Sequence, residues 1–278
     1  MESTRSRIAI LGAGNIGGAI ALGLKTSGLF SADHITLTRR KVEALEEFKR
    51  LGFPVSSDNA SAIRNSDILV VAVTPQQLNP LLSEITSIID DRRHVIISLV
   101  SGVTIAEIRA QLNRNVPIIR AMPNTAIALS QSMTCIAGDA TSENTLPIVK
   151  EIFDALGRTL VIDESLIVPA TALCACGIAF FLRAIRAASQ GGIEIGFHAE
   201  DALLMAAQTA LGAASLVMQP GTHPESEVDK VTTPQGCTIS GLNQMEHNGF
   251  SSALIKGIVT SAEKANILYR PKAVALED

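Results

Sequence analysis

The sequence has 278 residues, of which 47% are hydrophobic and 18% charged, so the chain can bury a large core and is neither disordered nor mostly linker. At about 150 residues per domain, this length predicts two domains. A formal charge of −4, 3% aromatic residues and no tryptophan offer neither the basic surface nor the stacking platforms used to bind nucleic acid or anionic membranes.

Short β-branched runs alternate with helical segments over residues 1–162. The predicted strands are Arg7–Leu11, His34–Thr38, Ile68–Val73, Val95–Leu99, Ile118–Met122, Met133–Ala137 and Thr159–Ile162. The predicted helices are Asn15–Lys25, Val42–Leu51, Gln76–Ile89, Thr104–Leu112 and Leu146–Leu156. Most of the strands are continuous apolar runs, which is typical of strands buried on both faces. The pattern predicts an α/β fold that begins with a Rossmann-type, doubly wound, mostly parallel sheet.

The pattern changes after Asp163, where no convincing strand follows. Helices are predicted at 166–190, 199–219, 238–247 and 250–269. We therefore divide the chain into a dinucleotide-binding domain, 1–162, and an all-helical domain, 163–278. Two uncharged stretches, 166–182 and 202–224, are either short or too polar for a membrane-spanning helix of about 20 residues. We therefore expect these stretches to form soluble helices packed inside an oligomer.

The cysteines and the start of the chain bear on its compartment. The four cysteines, Cys135, Cys174, Cys176 and Cys237, form no metal-ligand pattern. A long chain with few thiols is typical of a reducing compartment, and the start MESTRSRIAIL lacks the apolar segment of a secretory signal. We expect a cytoplasmic protein without a metal. The cysteines are interpreted as small buried hydrophobes, since a redox switch needs an exposed thiol of low pKa.

A glycine-rich turn follows the first predicted strand directly and opens the first helix. In Gly12-Ala-Gly14-Asn-Ile-Gly17, the first glycine permits a tight turn, the second lets the backbone approach a pyrophosphate, and the third lets helix and strand pack closely. The helix N-terminus then offers free amides to the phosphates. The alternative is a glycine-rich turn that binds no ligand.

The second predicted strand ends in Thr38-Arg39-Arg40. A site for NAD would place an acidic residue there, to bind the ribose hydroxyls. Guanidinium groups instead suit the 2′-phosphate of NADPH by charge and bidentate geometry, so NADPH is predicted, with weaker use of NADH. The alternative is a solvated pair of arginines.

Further candidate cofactor contacts follow the next strands. Ala72-Val73-Thr74-Pro75 and Ser101-Gly102 lie where parallel strands end, at the edge that binds ligands in doubly wound sheets. Asn59 either caps a short helix or reaches the adenosine, and capping is the simpler interpretation.

Five segments together resemble one known family. They are Gly12–Gly17, Ala72–Pro75, Ile97–Ile105, Arg120-Ala-Met-Pro-Asn-Thr125 and Val231-Thr-Thr-Pro-Gln-Gly-Cys-Thr-Ile239. In these segments the sequence resembles pyrroline-5-carboxylate reductases, and the resemblance extends from Ile8 to about residue 265. It implies NAD(P)H-dependent reduction of 1-pyrroline-5-carboxylate to L-proline, the last step of proline biosynthesis. It also implies a homodimer that interlocks through the C-terminal helices, with further assembly to a decamer.

The resemblance also assigns site residues. The implied cofactor contacts are Leu11, Gly12, Ala13, Gly14, Asn15, Ile16, Asn59, Ala72, Val73, Thr74, Pro75, Leu99, Val100 and Ser101. The implied substrate contacts are Glu164, Thr233, Cys237 and Thr238, with Thr233 standing where serine is usual. Reduction of a cyclic imine needs a hydrogen-bonding partner for the nitrogen, which the hydroxyl of Thr238, the predicted catalytic residue, can supply. The alternative is that Thr238 only caps the helix that follows.

The chain departs from the family pattern in one cluster. Ala172-Leu-Cys174-Ala-Cys176-Gly-Ile-Ala-Phe180 replaces a run with two serines, a proline and a tyrosine, and Gln235 replaces a glycine. Two other functions therefore remain open: an NADPH-dependent oxidoreductase for another imine or a hydroxy acid, and a non-catalytic NADPH-binding protein. Hydroxy-acid enzymes of this plan carry a helix lysine shortly after a glycine pair, but after Gly177 the first basic residue is Arg183.

Overall fold

The computed structural model describes residues 6–268. It divides into two compact units. The first contains the chain up to Cys176 together with the part from Ser261 onward, and the second is Gly177–Thr260. The predicted domain boundary after residue 162 stays a prediction.

An eight-stranded sheet forms the centre of the first unit. Its strands are β1 (Ile8–Leu11), β2 (Ile35–Thr38), β3 (Val55–Ser56), β4 (Ile68–Val71), β5 (Val95–Ser98), β6 (Ile118–Met122), β7 (Ser132–Gly138) and β8 (Gly157–Val161). They lie in the order β3-β2-β1-β4-β5-β6-β7-β8, and all neighbours are parallel except the antiparallel pair β6 and β7. The first six positions follow the order of dinucleotide-binding sheets, which confirms the predicted fold class.

Twelve α-helices lie in the described residues. They are α1 (Asn15–Thr26), α2 (Glu46–Arg50), α3 (Asn59–Arg64), α4 (Pro75–Ile85), α5 (Ile105–Leu112), α6 (Leu146–Asp154), α7 (Ile167–Ala170), α8 (Gly177–Glu194), α9 (Ala199–Val217), α10 (Pro224–Val231), α11 (Cys237–His247) and α12 (Phe250–Leu268). The single helix predicted at 166–190 is instead two helices, α7 and α8, joined by a π-helical turn, Thr171–Cys176. The predicted helix Val42–Leu51 begins as a 3-10 turn, Val42–Leu45, before α2.

Both faces of the sheet are covered, which explains the continuous apolar strands. Alternate residues of β1 enter different cores: Ile8 and Ile10 pack with residues of α1 and α6, whereas Ala9 and Leu11 pack with residues of α4 and α5. All four side chains are fully buried. Because side chains alternate between faces along a strand, each strand between two helical layers must be apolar at every position.

A third, smaller core joins the far strands to the segment after the sheet. It contains Met122 of β6, Cys135 and Ala137 of β7, and Ile167 and Ala170 of α7. The π-helical turn packs partly buried side chains against this core. The sheet therefore holds the start of the segment that leads into α8.

The second unit leaves much of its apolar surface exposed. Helices α8 and α9 pack closely, since a Cβ atom on Gly192 would lie 2.9 Å from the Cβ atom of Ala202. Large exposed apolar side chains of α8 and α9 are Phe181, Leu182, Ile193, Leu203, Leu204, Met205, Leu211, Leu216 and Val217. Within the described residues, the stretch 164–194 is also long and apolar enough to cross a membrane, since an 18-residue window within it has a mean hydropathy of 2.2. So large an apolar surface marks a site of interaction.

Candidate cofactor and substrate sites

Gly12 makes the tight turn that ends β1. Its φ is +86°, and a Cβ atom there would lie 2.4 Å from Cγ1 of Val73. The amides of Gly12 and Ala13 both donate to the carbonyl of Thr38, at 3.1 and 2.8 Å. A side chain is excluded at this position both by the backbone conformation and by the neighbouring strand end.

The other two glycines of the turn, Gly14 and Gly17, have different surroundings. Gly14 is the N-cap of α1 and provides no side-chain cap, so the first amides of the helix remain available. A Cβ atom on Gly14 would meet only the Gly12 carbonyl oxygen, at 3.9 Å, whereas one on Gly17 would lie 2.9 Å from Cγ2 of Ile10. Gly17 therefore permits the helix to pack on β1, and the space in front of Gly14 can accept a phosphate.

The predicted cofactor residues collect at one edge of the sheet. Leu11 is in register with Thr38 on one side and Val71 on the other, and Val71 is in register with Ser98. The loops that follow these strands carry the predicted contacts 72–75 and 99–101. Since Leu11, Ala13 and Val100 are buried, we infer that these three can reach a ligand only through their backbones.

The loop after β4 leads directly into α4. Thr74 is the N-cap of this helix, and Pro75 occupies its first turn, where the missing N–H group costs nothing. The amide of Ala72 donates to the carbonyl of Leu11 at 2.8 Å, which extends the ladder between β1 and β4 by one residue. This loop is thus fixed against the glycine-rich turn.

A chain of side-chain hydrogen bonds lies beside the end of β2. The hydroxyl of Thr38, which is 1% exposed, donates to Oδ1 of Asn59 at 2.6 Å. Nδ2 of Asn59 donates in turn to the Glu84 carboxylate of α4, at 3.2 and 3.3 Å. The interpretation of Asn59 as a helix cap is wrong, because Asp58 is the N-cap of α3 and accepts from the amide of Ser61.

Arg39 and Arg40 are exposed immediately after β2. Neither guanidinium has an ion-pair partner among residues 6–268. The backbone of Arg39 is anchored, since its amide donates to the carbonyl of Ser56 at 3.1 Å. Two uncommitted positive charges therefore stand next to the sheet edge where the ribose of a dinucleotide would lie.

Glu164 links a buried guanidinium to a helix N-terminus. Its Oε1 accepts from Nη1 of Arg120 at 3.2 Å and from the amide of Ile105, the first residue of α5, at 2.7 Å. Arg120, on β6, is 2% exposed, and its Nε and Nη2 atoms have no hydrogen-bond partner in the described structure. The sequence alone gives Arg120 no role as the partner of Glu164. The signal available in the sequence was an arginine inside an apolar strand.

The segment 233–238 belongs to the second unit and contains the loop that leads into α11 and the first two residues of that helix. Gly236 is the N-cap of α11, so Thr238 is the second residue of the helix, and the alternative that Thr238 caps it is wrong. Thr233, Cys237 and Thr238 are all exposed. With a glycine as N-cap, the first-turn amides have no side-chain acceptor and can bind a carboxylate. The predicted substrate contact Glu164 belongs to the first unit, whereas Thr233, Cys237 and Thr238 belong to the second.

Two family models match separate parts of the chain. Residues 164–268 match the model "Pyrroline-5-carboxylate reductase dimerisation", and residues 7–102 match "NADP oxidoreductase coenzyme F420-dependent". Among the described residues, His, Cys, Asp and Glu side chains form no cluster of three that could hold a metal ion.

Several curated proteins and solved structures are similar over nearly the whole chain. Pyrroline-5-carboxylate reductase 2 of Dictyostelium discoideum is 49% identical, over 93% of this chain and 92% of that protein. Pyrroline-5-carboxylate reductase 1 of the same organism is 55% identical over 95% of this chain, which spans only 50% of that protein. A pyrroline-5-carboxylate reductase structure from Coxiella burnetii has a TM-score of 0.88 at 28% identity and covers 96% of this chain and 99% of its own.

Proposed function

The chain belongs to the pyrroline-5-carboxylate reductase family, and on that premise we propose that it reduces 1-pyrroline-5-carboxylate to L-proline with NADPH as the hydride donor. The observation that carries the proposal is the open N-terminus of α1, at the edge where β1, β2, β4 and β5 end in register. Doubly wound sheets bind dinucleotide phosphates at such an edge. The similarity to relatives of this name over more than nine-tenths of their length supports the substrate.

The chain offers a place for each part of the cofactor. The pyrophosphate would lie in front of Gly14, where the helix amides are available and no side chain intrudes. The 2′-phosphate of NADPH would be bound by the exposed guanidinium groups of Arg39 and Arg40, each able to make two charge-assisted hydrogen bonds. The absence of an acidic residue at this strand end supports NADPH over NADH.

The proposed substrate contacts hold the two polar groups of the imino acid. The first-turn amides of α11, at Cys237 and Thr238, would bind the carboxylate, favoured by the positive end of the helix dipole. The hydroxyl of Thr238 would hydrogen-bond to the ring nitrogen. When bound, NADPH supplies a hydride to the imine carbon, and the nitrogen takes up a proton in the same reaction. A hydrogen-bonding group at that nitrogen stabilises the developing charge.

Glu164 acts as a positioning residue in this scheme. Its carboxylate is held by Arg120 from inside the sheet and itself holds the N-terminus of α5. The loop that carries Leu99, Val100 and Ser101 precedes α5 in the chain, between β5 and the helix. An anchored α5 fixes the end of this loop, which is the predicted contact for the nicotinamide half of the cofactor.

The helical unit supports an oligomer. Its match to a dimerisation model and the exposed apolar side chains of α8 and α9 favour burial of these helices in a homodimer. A helix that packs against a partner subunit and a helix that crosses a membrane are both apolar, because both are buried away from water. The apolar stretch 164–194 starts at the same residue as the match to the dimerisation model, 164–268, which favours burial in a dimer. Assembly into a decamer and a cytoplasmic location belong to the same proposal.

The test is a direct assay of the purified full-length chain. We expect oxidation of NADPH when 1-pyrroline-5-carboxylate is added, and slower oxidation of NADH. Gly14→Val, whose Cβ atom would meet no neighbouring side chain, should fill the proposed pyrophosphate site and abolish NADPH binding while the far-ultraviolet circular dichroism stays unchanged. Tight NADPH binding by the original chain without turnover would contradict the substrate and direct the assay to other cyclic imines.

A further inference from the structure

Two cysteine side chains from distant parts of the sequence meet within the first compact unit. Cys135 lies on β7 and is 4% exposed, and Cys174 lies in the π-helical turn and is half-buried. Cys135 belongs to the third core and Cys174 packs against that core, and each of the two side chains shifts the pKa of the other. Both thiols are free.

We propose that Cys135 and Cys174 are a modification site, at which a hydroperoxide converts the two thiols into a reversible intramolecular disulfide. This modification is independent of the proposed reductase activity. It would join β7 covalently to the turn that precedes α8. The carbonyl of Cys174 also accepts from Nδ2 of Asn124 at 3.4 Å, so the turn is already held near the loop after β6.

The reaction balances in two steps. The Cys174 thiolate attacks the terminal oxygen of the hydroperoxide, the O–O bond breaks, and an alcohol or water leaves while Cys174 becomes a sulfenic acid. The sulfur of Cys135 then attacks the sulfenic sulfur, an S–S bond forms and water leaves. The two thiols lose two electrons and the hydroperoxide accepts them. A dithiol reductant reverses the reaction by exchange.

The surroundings assign different roles to the two sulfur atoms. Cys174 is the accessible one and reacts first, whereas Cys135 is enclosed by the third core and resolves the intermediate. The hydrogen bond from Cys135 lowers the pKa of the Cys174 thiol to about 7, and the same bond, together with burial, raises the pKa of Cys135. At neutral pH a large fraction of Cys174 is therefore thiolate, the form that attacks peroxides.

Cys176 provides a matched comparison. It lies in the same π-helical turn and is also half-buried, but it does not pack against the third core. Cys174 and Cys176 thus share the π-helical turn, but only Cys174 packs against the core that contains Cys135. A reaction that depends on the pair must distinguish Cys174 from Cys176.

The first experiment treats the purified full-length chain with hydrogen peroxide, blocks the remaining thiols and maps the peptides without reduction. We expect one linked peptide pair, containing Cys135 and Cys174, that disappears after dithiothreitol. The Cys176→Ser variant should give the same pair. A linkage through Cys176 or Cys237, or no intramolecular linkage at any peroxide concentration, would overturn the proposal.

Variants then separate the two roles. Cys174→Ser should lose the reaction with peroxide, and Cys135→Ser should stop at a sulfenic acid on Cys174 that dimedone traps. Cys135→Ala removes the hydrogen-bond donor that serine keeps, so the pKa of Cys174 should rise and its thiolate fraction at pH 7 should fall. A thiolate of higher pKa is more nucleophilic, but the smaller thiolate fraction has the larger effect, and alkylation of Cys174 should slow by about fivefold. Equal alkylation rates for Cys135→Ala, Cys135→Ser and the original chain would refute the assigned contact. Thermal unfolding of each variant checks that it folds.

Discussion

Nη1 of Arg120 and Oε1 of Glu164 lie 3.2 Å apart, and the arginine is almost wholly buried in the sheet while the glutamate is partly exposed. The same carboxylate oxygen accepts from the backbone amide of Ile105 at 2.7 Å. One acidic group thus compensates a buried positive charge and the positive end of a helix. A buried charge left without its partner is costly, so this contact is a stability determinant as well as a feature of the site.

Glu164→Ala should therefore destabilise the chain by about 2 kcal/mol, the typical value of a hydrogen bond to a charged group. Glu164→Gln keeps an acceptor for the amide of Ile105 and should cost less. Urea denaturation of the three proteins measures the difference. The free energy of unfolding should fall in the order original chain, glutamine variant, alanine variant, and equal values would show that Arg120 does not depend on Glu164.

Arg39→Asp combined with Arg40→Ala should weaken NADPH binding by about tenfold or more and leave NADH binding nearly unchanged. The reason is that a charge-assisted hydrogen bond contributes about 2 kcal/mol, and only NADPH carries the 2′-phosphate. Titration of each cofactor by fluorescence gives both dissociation constants. Lys41→Ala, which changes an exposed charge one position further on, is the control for a general loss of positive charge. Unchanged NADPH affinity in the double variant would refute the assignment.

Thr238→Ala should lower kcat by about a hundredfold with the cofactor affinity preserved, because removal of one hydrogen-bond donor at a developing charge has an effect of this size. Thr238→Ser keeps the hydroxyl and should recover most of the rate. Steady-state kinetics and a cofactor titration measure the two quantities. Since Gly236 is the N-cap of α11, the substitution removes no helix cap, and turnover equal to that of the original chain would exclude the proposed contact.

Gln235→Gly should stabilise the chain by about 1 kcal/mol. Gln235 has a φ of +59°, a left-handed conformation that costs a residue with a Cβ atom about 1–2 kcal/mol, and the flexibility of glycine offsets only part of this gain. Thermal unfolding measures the effect. Gln235→Ala keeps the Cβ atom and should give no increase in Tm, and a lower Tm for the glycine variant would contradict the expectation.

Stability should also fall as the pH decreases below about 6.5, because His94 then takes up a proton on unfolding. His94 is 3% exposed, its Nδ1 accepts from the amide of Asp90 at 2.9 Å, and burial together with the charge of Arg93 lowers its pKa. A lowered pKa in the folded state gives full stability above the unfolded value of about 6.5 and a loss below it. The carboxylates with lowered pKa, such as Asp67 and Asp139, titrate at lower pH.

The measurement is urea denaturation across this pH range. His94→Asn keeps an acceptor for the amide of Asp90 and should flatten the profile between pH 6.5 and 5.5, whereas His198→Asn, at an exposed position, should leave the profile unchanged. An equally steep profile for His94→Asn would assign the proton uptake to another group.

The order of elements could be predicted wherever a local pattern determines it. Ile8 and Ala9 face different helical layers, so β1 is apolar throughout and is recognised from sequence alone. The strand β3, with two residues, is too short to show a period. Contacts between distant segments left no local signal: the bond from Arg120 to Glu164 and the meeting of Cys135 with Cys174 arise only when the sheet has assembled. For the same reason, the hydrogen bond from Thr38 to Asn59 became visible only in the structure.

The strand order has a consequence for how the chain folds during synthesis. From β5 to β8, every strand lies beside the strand made just before it, and only the pairing of β1 with β4 skips elements of the sequence. Once Ile68–Val71 has emerged and paired with Ile8–Leu11, each later strand meets a completed neighbour. Besides the outer edge of β3, the growing sheet then exposes one further unpaired edge, the edge that the next strand covers, which limits the time in which a nascent chain can pair wrongly with another there.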